Sequence, residues 1–142
     1  MVKKFPVPSE GDPPTRYHLP SERESITVKF SIGEFEGFFT VGLFSDGSPG
    51  EVFVDLTEKD TQFAGLADQW CTALSLLFQF GVPHEDLYEK FKYQRFSPEG
   101  MTNLPDVPIC HSIVDLIIRY LEINFPPTKK EGQDEYDRMV DL

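Results

Sequence analysis

Between Asp60 and Gly81 the chain reads DTQFAGLADQWCTALSLLFQFG, in which Phe63, Leu66, Ala67, Trp70, Cys71, Leu74, Leu77 and Phe78 recur at steps of three and four. That spacing puts them on one broad stripe of an α-helix, and a stripe this apolar must face a core. Asp60 or Thr61 can accept hydrogen bonds from the first free N–H groups, and Gly81 can take the left-handed conformation that ends a helix. A helix over about 61–80 is therefore expected, with the rest of the chain organised around it.

Upstream the period changes. Ile26, Val28, Phe30 and Ile32 alternate with Thr27, Lys29 and Ser31, as in a half-buried strand over 26–32. Gly33-Glu34 makes a turn. The next run, 35–44, carries aromatic and β-branched residues on both faces, which suits a central strand covered on two sides or lodged at a subunit contact. Turn formers fill 45–50, and Val52, Val54 and Leu56 point one way in a third strand over 51–56. After Gly81, Pro83 fits the first turn of a short helix over 83–91, because its missing N–H has no partner there in any case. Residues 92–105 show no sustained period and read as a loop. Asp106 can cap a last helix over 107–123, on which Ile109, Ile113, Leu116, Ile117, Tyr120 and Leu121 form a second stripe. The expected fold is α+β, an antiparallel sheet of about three strands followed by three helices packed on it.

Pro6, Pro8, Pro13, Pro14 and Pro20 sit among charges in residues 1–24, which read as a mobile arm. Residues 126–142 read as an acidic, disordered tail, so 25–125 forms the domain.

Composition narrows the function. Thirteen Lys and Arg stand against 24 Asp and Glu, a net charge of -11. That field repels the phosphates of nucleic acid, so no nucleic-acid partner is expected. No apolar run approaches the roughly 20 residues that span a bilayer, and MVKKFPVPSEGDPP lacks the apolar stretch of a signal peptide. The expectation is a cytoplasmic protein with no membrane partner. Cys71 and Cys110 lie within apolar patterns and outside any Cys-x-x-Cys, as buried reduced thiols do. His18, His84 and His111 are dispersed, and no Gly-x-Ser-x-Gly or Walker motif occurs. Catalytic residues, metal and cofactor are each expected to be none, and the protein is read as a non-enzyme.

One cluster stands out in so acidic a chain. Lys90, Lys92 and Arg95 alternate with Phe91, Tyr93 and Phe96. Cations beside aromatic rings can hold a phosphate while a ring stacks on a base. With Lys29 from the first strand, the candidate ligand site is Lys29, Lys90, Lys92, Tyr93, Arg95 and Phe96. The competing reading is a helix end whose cations answer the helix dipole and whose aromatics belong to the core.

Four stretches carry a family resemblance: LPSERESITVKFSI, EGFFTVGLFSDGSPGEVFV, LFQFGVPHEDLYEKF and RFSPEGMTNLPDVPICHSIVDLIIRYL. The most specific pieces are Asp46-Gly47 with Pro49-Gly50-Glu51, Phe80-Gly81-Val82-Pro83, Lys90-Phe91 with Arg95-Phe96, and Asp106 through Asp115. Over about 19–122 the chain resembles the TSCPD domain, the C-terminal accessory domain of adenosylcobalamin-dependent (class II) ribonucleotide reductases. The resemblance implies an accessory α+β module in a setting of nucleotide metabolism, since the radical chemistry and cobalamin site of those reductases reside in a separate, larger barrel. Their cysteine-rich tail has no counterpart in QDEYDRMVDL, and the Thr-Ser-Cys-Pro-Asp peptide is missing, so a redox relay does not carry over. Two functions follow as expectations. The first is a non-catalytic module that binds or sequesters a nucleotide or similar small anion, signalling nucleotides included. The alternative is a protein-interaction subunit of a ribonucleotide reductase or another enzyme of nucleotide metabolism. A homodimer or higher homo-oligomer is expected in addition, because three helices cover only one face of three strands.

Overall fold

A computed structural model of the chain describes residues 13–58 and 61–127. Three antiparallel strands, β1 (Ser25–Ile32), β2 (Phe35–Leu43) and β3 (Pro49–Leu56), form one sheet in the order β1-β2-β3. Gly33, at φ 60°, makes the first turn; at the second, the Asp46 carboxylate accepts the Ser48 amide at 2.9 Å beside Gly47 at φ 86°. Alternation then sends Phe30, Ile32, Phe39, Val41, Val52 and Leu56 to the inner face, where all are buried.

Helix α1 (Gln62–Gln79) begins where Thr61 accepts the Ala64 amide at 3.0 Å, and ends before Gly81 at φ 78°. Ala67, Cys71, Leu74 and Phe78 bury its inner face against the sheet. The helix also covers the free edge of β3. The Ser75 hydroxyl accepts the Val52 amide at 2.8 Å, and the Gln79 side-chain amide donates to the Gly50 carbonyl at 3.0 Å. At the other edge, Asn103 accepts the Ser31 amide at 2.8 Å and donates to the Lys29 carbonyl at 3.0 Å. Side chains thus occupy backbone groups that a bare edge would offer to another chain.

Helix α2 (His84–Phe91) and helix α3 (Ile113–Asn124) complete the core, joined by the buried Tyr88, whose hydroxyl donates to the Phe125 carbonyl at 2.8 Å. The last helix starts later than its apolar period suggests. Ser112 is its N-cap and accepts the Asp115 amide at 3.0 Å. Residues expected in its first turns instead form β5 (Ile109–Cys110), paired with β4 (Gly100–Met101) inside the expected loop. Pro108 explains the difference, because a residue before proline is pushed out of the helical region and a helix capped by Asp106 would need Val107 there.

The arm expected to be mobile over 1–24 is fastened in its described part. The Tyr17 amide donates to the Gln79 carbonyl at 2.9 Å, Arg16 to the Gln79 side chain at 2.7 Å, and Arg23 to Glu51 at 2.7 Å. Residues 1–12, and the expected tail from 128 onward, lie outside the described residues. Among those described, no helix is long and apolar enough to cross a membrane.

Candidate functional site

The chain leaving α2 is held by one carboxylate. Asp115 lies in the first turn of α3, is completely buried, and accepts the Tyr93 amide with one oxygen and the His111 amide with the other, each at 2.8 Å. Its charge sits where the free N–H groups of α3 favour an anion, and Arg119 approaches it to 3.5 Å from the next turn. The Ser112 hydroxyl donates to the Gln94 carbonyl at 2.6 Å, a further tie. Under this hold Tyr93 takes φ 66°, a left-handed conformation uncommon outside glycine. Its ring remains 60% exposed, with Lys92 Nζ at 5.4 Å, the Arg119 guanidinium at 5.6 Å and the His111 ring at 6.3 Å edge-on.

Beside this loop lies an apolar groove of about 560 Å³ between α1, the end of α2 and the start of α3. Trp70, Phe91 and Phe96 dominate its walls, Leu66 stands 71% exposed, and Lys90 and Gln94 are also part of the lining. Trp70 packs edge-on against Phe91 at 5.7 Å. Cys71 belongs to the same wall but is chemically quiet, because burial first and Asp68 second push its thiol up to about 12. Burial likewise raises Cys110.

The six residues expected to form a ligand site are separated. Lys29 stands on β1 facing the outer side of the sheet, 6.0 Å from the Phe38 ring and away from the helices. Lys92 donates to both oxygens of Glu122 at 2.9 Å, and that bond raises its pKa. Arg95 pairs with Glu99 at 3.1 Å and lies 3.1 Å from His111 Nδ1. Among the described residues, Lys90 Nζ has neither hydrogen bond nor ion pair. Tyr93 faces the loop surface and Phe96 the groove.

The residues missed from sequence are Asp115, Ser112 and Arg119, which build the loop, and Trp70, assigned to the core but lodged in the groove wall. The one signal for the first was a carboxylate set between Val114 and Leu116 in an apolar stripe. Among the described residues no group of three or more His, Cys, Asp or Glu is disposed to hold a metal.

Comparison with known proteins places this architecture. The family described as TSCPD domain matches residues 13–125. A vitamin B12-dependent ribonucleotide reductase of Rhodopirellula baltica is 45% identical over 112 residues, which is 79% of this chain and 11% of that protein. The reductase of the same name from Streptomyces avermitilis is 41% identical over 114 residues, covering 80% and 12%, and that from Agrobacterium fabrum 32% over 111 residues, covering 78% and 9%. The chain thus spans about a tenth of the length of these relatives. No solved structure matches it.

Proposed function

The chain belongs to the TSCPD domain family, and from that premise we propose that it is a non-catalytic docking module for the catalytic part of a vitamin B12-dependent ribonucleotide reductase. The observation that carries this reading is the groove. A chain with net charge -11 that leaves Leu66 and Phe96 exposed around a depression of about 560 Å³ keeps apolar surface where solubility alone would put charge. The volume fits a few anchoring side chains of a partner, and Trp70 and Phe91 supply the aromatic walls typical of strong contact points. A partner of this kind also places the protein in the cytoplasm.

The test is calorimetric titration of this chain into the Rhodopirellula reductase truncated before its own homologous segment. Binding should appear in the micromolar range and weaken at least tenfold in Phe96→Ser and Leu66→Ser, about 1.4 kcal/mol or more. No heat of binding, or equal affinity in both variants, would remove the groove from this role.

One observation favours nucleotide binding as a second reading: Tyr93 is held in an uncommon backbone conformation that displays its ring between Lys92 and Arg119. A base would stack on Tyr93, and its phosphates would compete with Glu122 and Glu99 for Lys92 and Arg95. Thermal melts with mononucleotides and cyclic dinucleotides check this, since a ligand at a hundred times its dissociation constant adds about 2.7 kcal/mol. Arg95→Ala should abolish that gain; an unchanged melt with every nucleotide in the panel would eliminate the reading.

A further inference from the structure

The groove between α1, the end of α2 and the start of α3 runs down to the core. Ala67, Cys71, Ile113 and Ile117 line its depth and are all buried, whereas Leu66, Lys90, Gln94 and Phe96 line it and are exposed, which makes them its rim. The charge of that lining is opposite to the charge of the chain. Although Asp and Glu number 24, no carboxylate lines the groove, and the one charged side chain there is Lys90, in the last turn of α2. Lys92, Arg95 and Arg119 are answered by carboxylates at 2.9, 3.1 and 3.5 Å, but among the described residues Lys90 Nζ has no such partner. Gln94 Nε2 donates one hydrogen to the Lys90 carbonyl at 3.3 Å and keeps a second donor beside the cation.

We propose that this groove is a binding site for a small carboxylate with an apolar body, whose head is paired by Lys90 and whose body is buried among Trp70, Phe91 and Phe96. The shape favours a compact ligand taken in whole. A volume of about 560 Å³, apolar to its depth and with a few polar groups at the rim, is that of a small-molecule pocket. The charge selects the head. A cationic head would face Lys90, and a phosphate monoester, at about −1.5 to −2, would bring more negative charge than one lysine answers. In a chain of net charge -11 that excess meets repulsion, so a single negative charge fits best. The ligand and a docked protein partner claim the same walls, and occupancy by one excludes the other, which would make docking responsive to the ligand. The site does not rest on the docking role. Binding by the chain alone reads the one, calorimetry with the reductase reads the other, and either can fail without the other.

Trp70 is the single tryptophan of the chain and stands in the groove wall, so its fluorescence reports occupancy directly. Titration of the full chain with decanoate should change that emission saturably in the submillimolar range. Decanol, with the same tail and no charge, separates burial of the tail from recognition of the head. In Lys90→Glu the decanoate affinity should fall about fivefold or more, the scale of an exposed ion pair lost and reversed, while decanol binds within about twofold of its affinity for the parent. Lys90→Arg should keep the decanoate affinity within about twofold. Lys90 is exposed, and circular dichroism melts of both variants show that the fold is kept. No saturable change with decanoate would overturn the proposal. So would a Lys90→Glu variant that binds decanoate like the parent, or one that loses decanol and decanoate equally, because Lys90 would then serve only the dipole at the end of α2.

Discussion

Asp115 holds the Tyr93 amide at 2.8 Å with one carboxylate oxygen and the His111 amide at 2.8 Å with the other, and is itself completely buried. Two chain segments that approach the start of α3 from different sides are thus fixed to one side chain. Asp115→Asn replaces an acceptor by an amide that can serve only one of the two donors. It should lower stability by about 3 kcal/mol, the scale for stranding a buried donor and deleting a charge-assisted bond. Urea unfolding near neutral pH measures this, and a loss below about 0.5 kcal/mol would mean that water replaces the carboxylate.

Tyr93 sits at φ 66° because of that hold. Glycine adopts this conformation without a clash between Cβ and the following carbonyl, so Tyr93→Gly should melt no lower than the parent despite losing the ring. Tyr93→Val, β-branched, should cost about 1–2 kcal/mol. If the glycine variant melts several degrees lower, the ring's contacts with Lys92, Arg119 and His111 outweigh the backbone strain.

The edge of β3 gives a third expectation. Ser75 accepts the Val52 amide at 2.8 Å and donates to the Cys71 carbonyl at 2.7 Å, and Gln79 reaches the Gly50 carbonyl at 3.0 Å. Ser75→Ala and Gln79→Ala should each cost about 1–3 kcal/mol, the penalty for orphaning a buried backbone group. Hydrogen exchange at the Val52 amide should accelerate in Ser75→Ala; exchange at the parent rate would show that the strand keeps another acceptor.

These cases mark what was legible in the sequence. Residues 25–56 gave up their strands and turns because period-two patterning and turn chemistry are local, and α1 showed both its caps and its period. Ser75 and Gln79 read as neutral helix residues, because their task, closing the edge of β3, depends on how the helix lies against the sheet. The hairpin β4–β5 is two short strands with no periodicity to detect, and the stripe of α3 extended falsely back through Ile109, which is 56% exposed. At the candidate site the basic residues were visible, whereas the carboxylates that answer them, Glu99 excepted, lie distant in sequence: Lys92 with Glu122 is a tertiary pair.

Trp70 tests the difference between stripe and core. It shares the period of Leu74 but lines the groove, half-buried against Phe91, while Leu74 is 1% exposed in the centre of the core. Leu74→Ala should cost about 2–5 kcal/mol and Trp70→Ala less, about 1–2 kcal/mol, because no closed cavity is left behind. The reverse order in denaturant unfolding would place Trp70 at the heart of the fold.

His84 decides how stability follows pH. It opens α2 with its ring edge-on to Phe78 at 5.0 Å and 6.0 Å from Tyr88, and burial lowers its pKa below 6.5 against the opposing pull of Asp46. A base of lower pKa in the folded than in the unfolded chain takes up its proton preferentially on unfolding. As pH falls through 6.5 toward the folded value, the unfolded state gains protons that the folded state refuses, and stability falls. Lys92 works in another window: its raised pKa gives a contribution that is complete below 10.5 and lost only as pH rises through the folded value, so it adds no slope near neutrality. His84→Phe keeps an aromatic ring against Phe78 and removes the titration. Between about pH 7.5 and pH 5.5 the unfolding free energy of the parent should therefore fall more steeply than that of the variant, with the two curves parallel above about pH 7.5. Equal slopes across that interval would mean that His84 protonates as freely in the fold as in the unfolded chain, with Asp46 offsetting the burial.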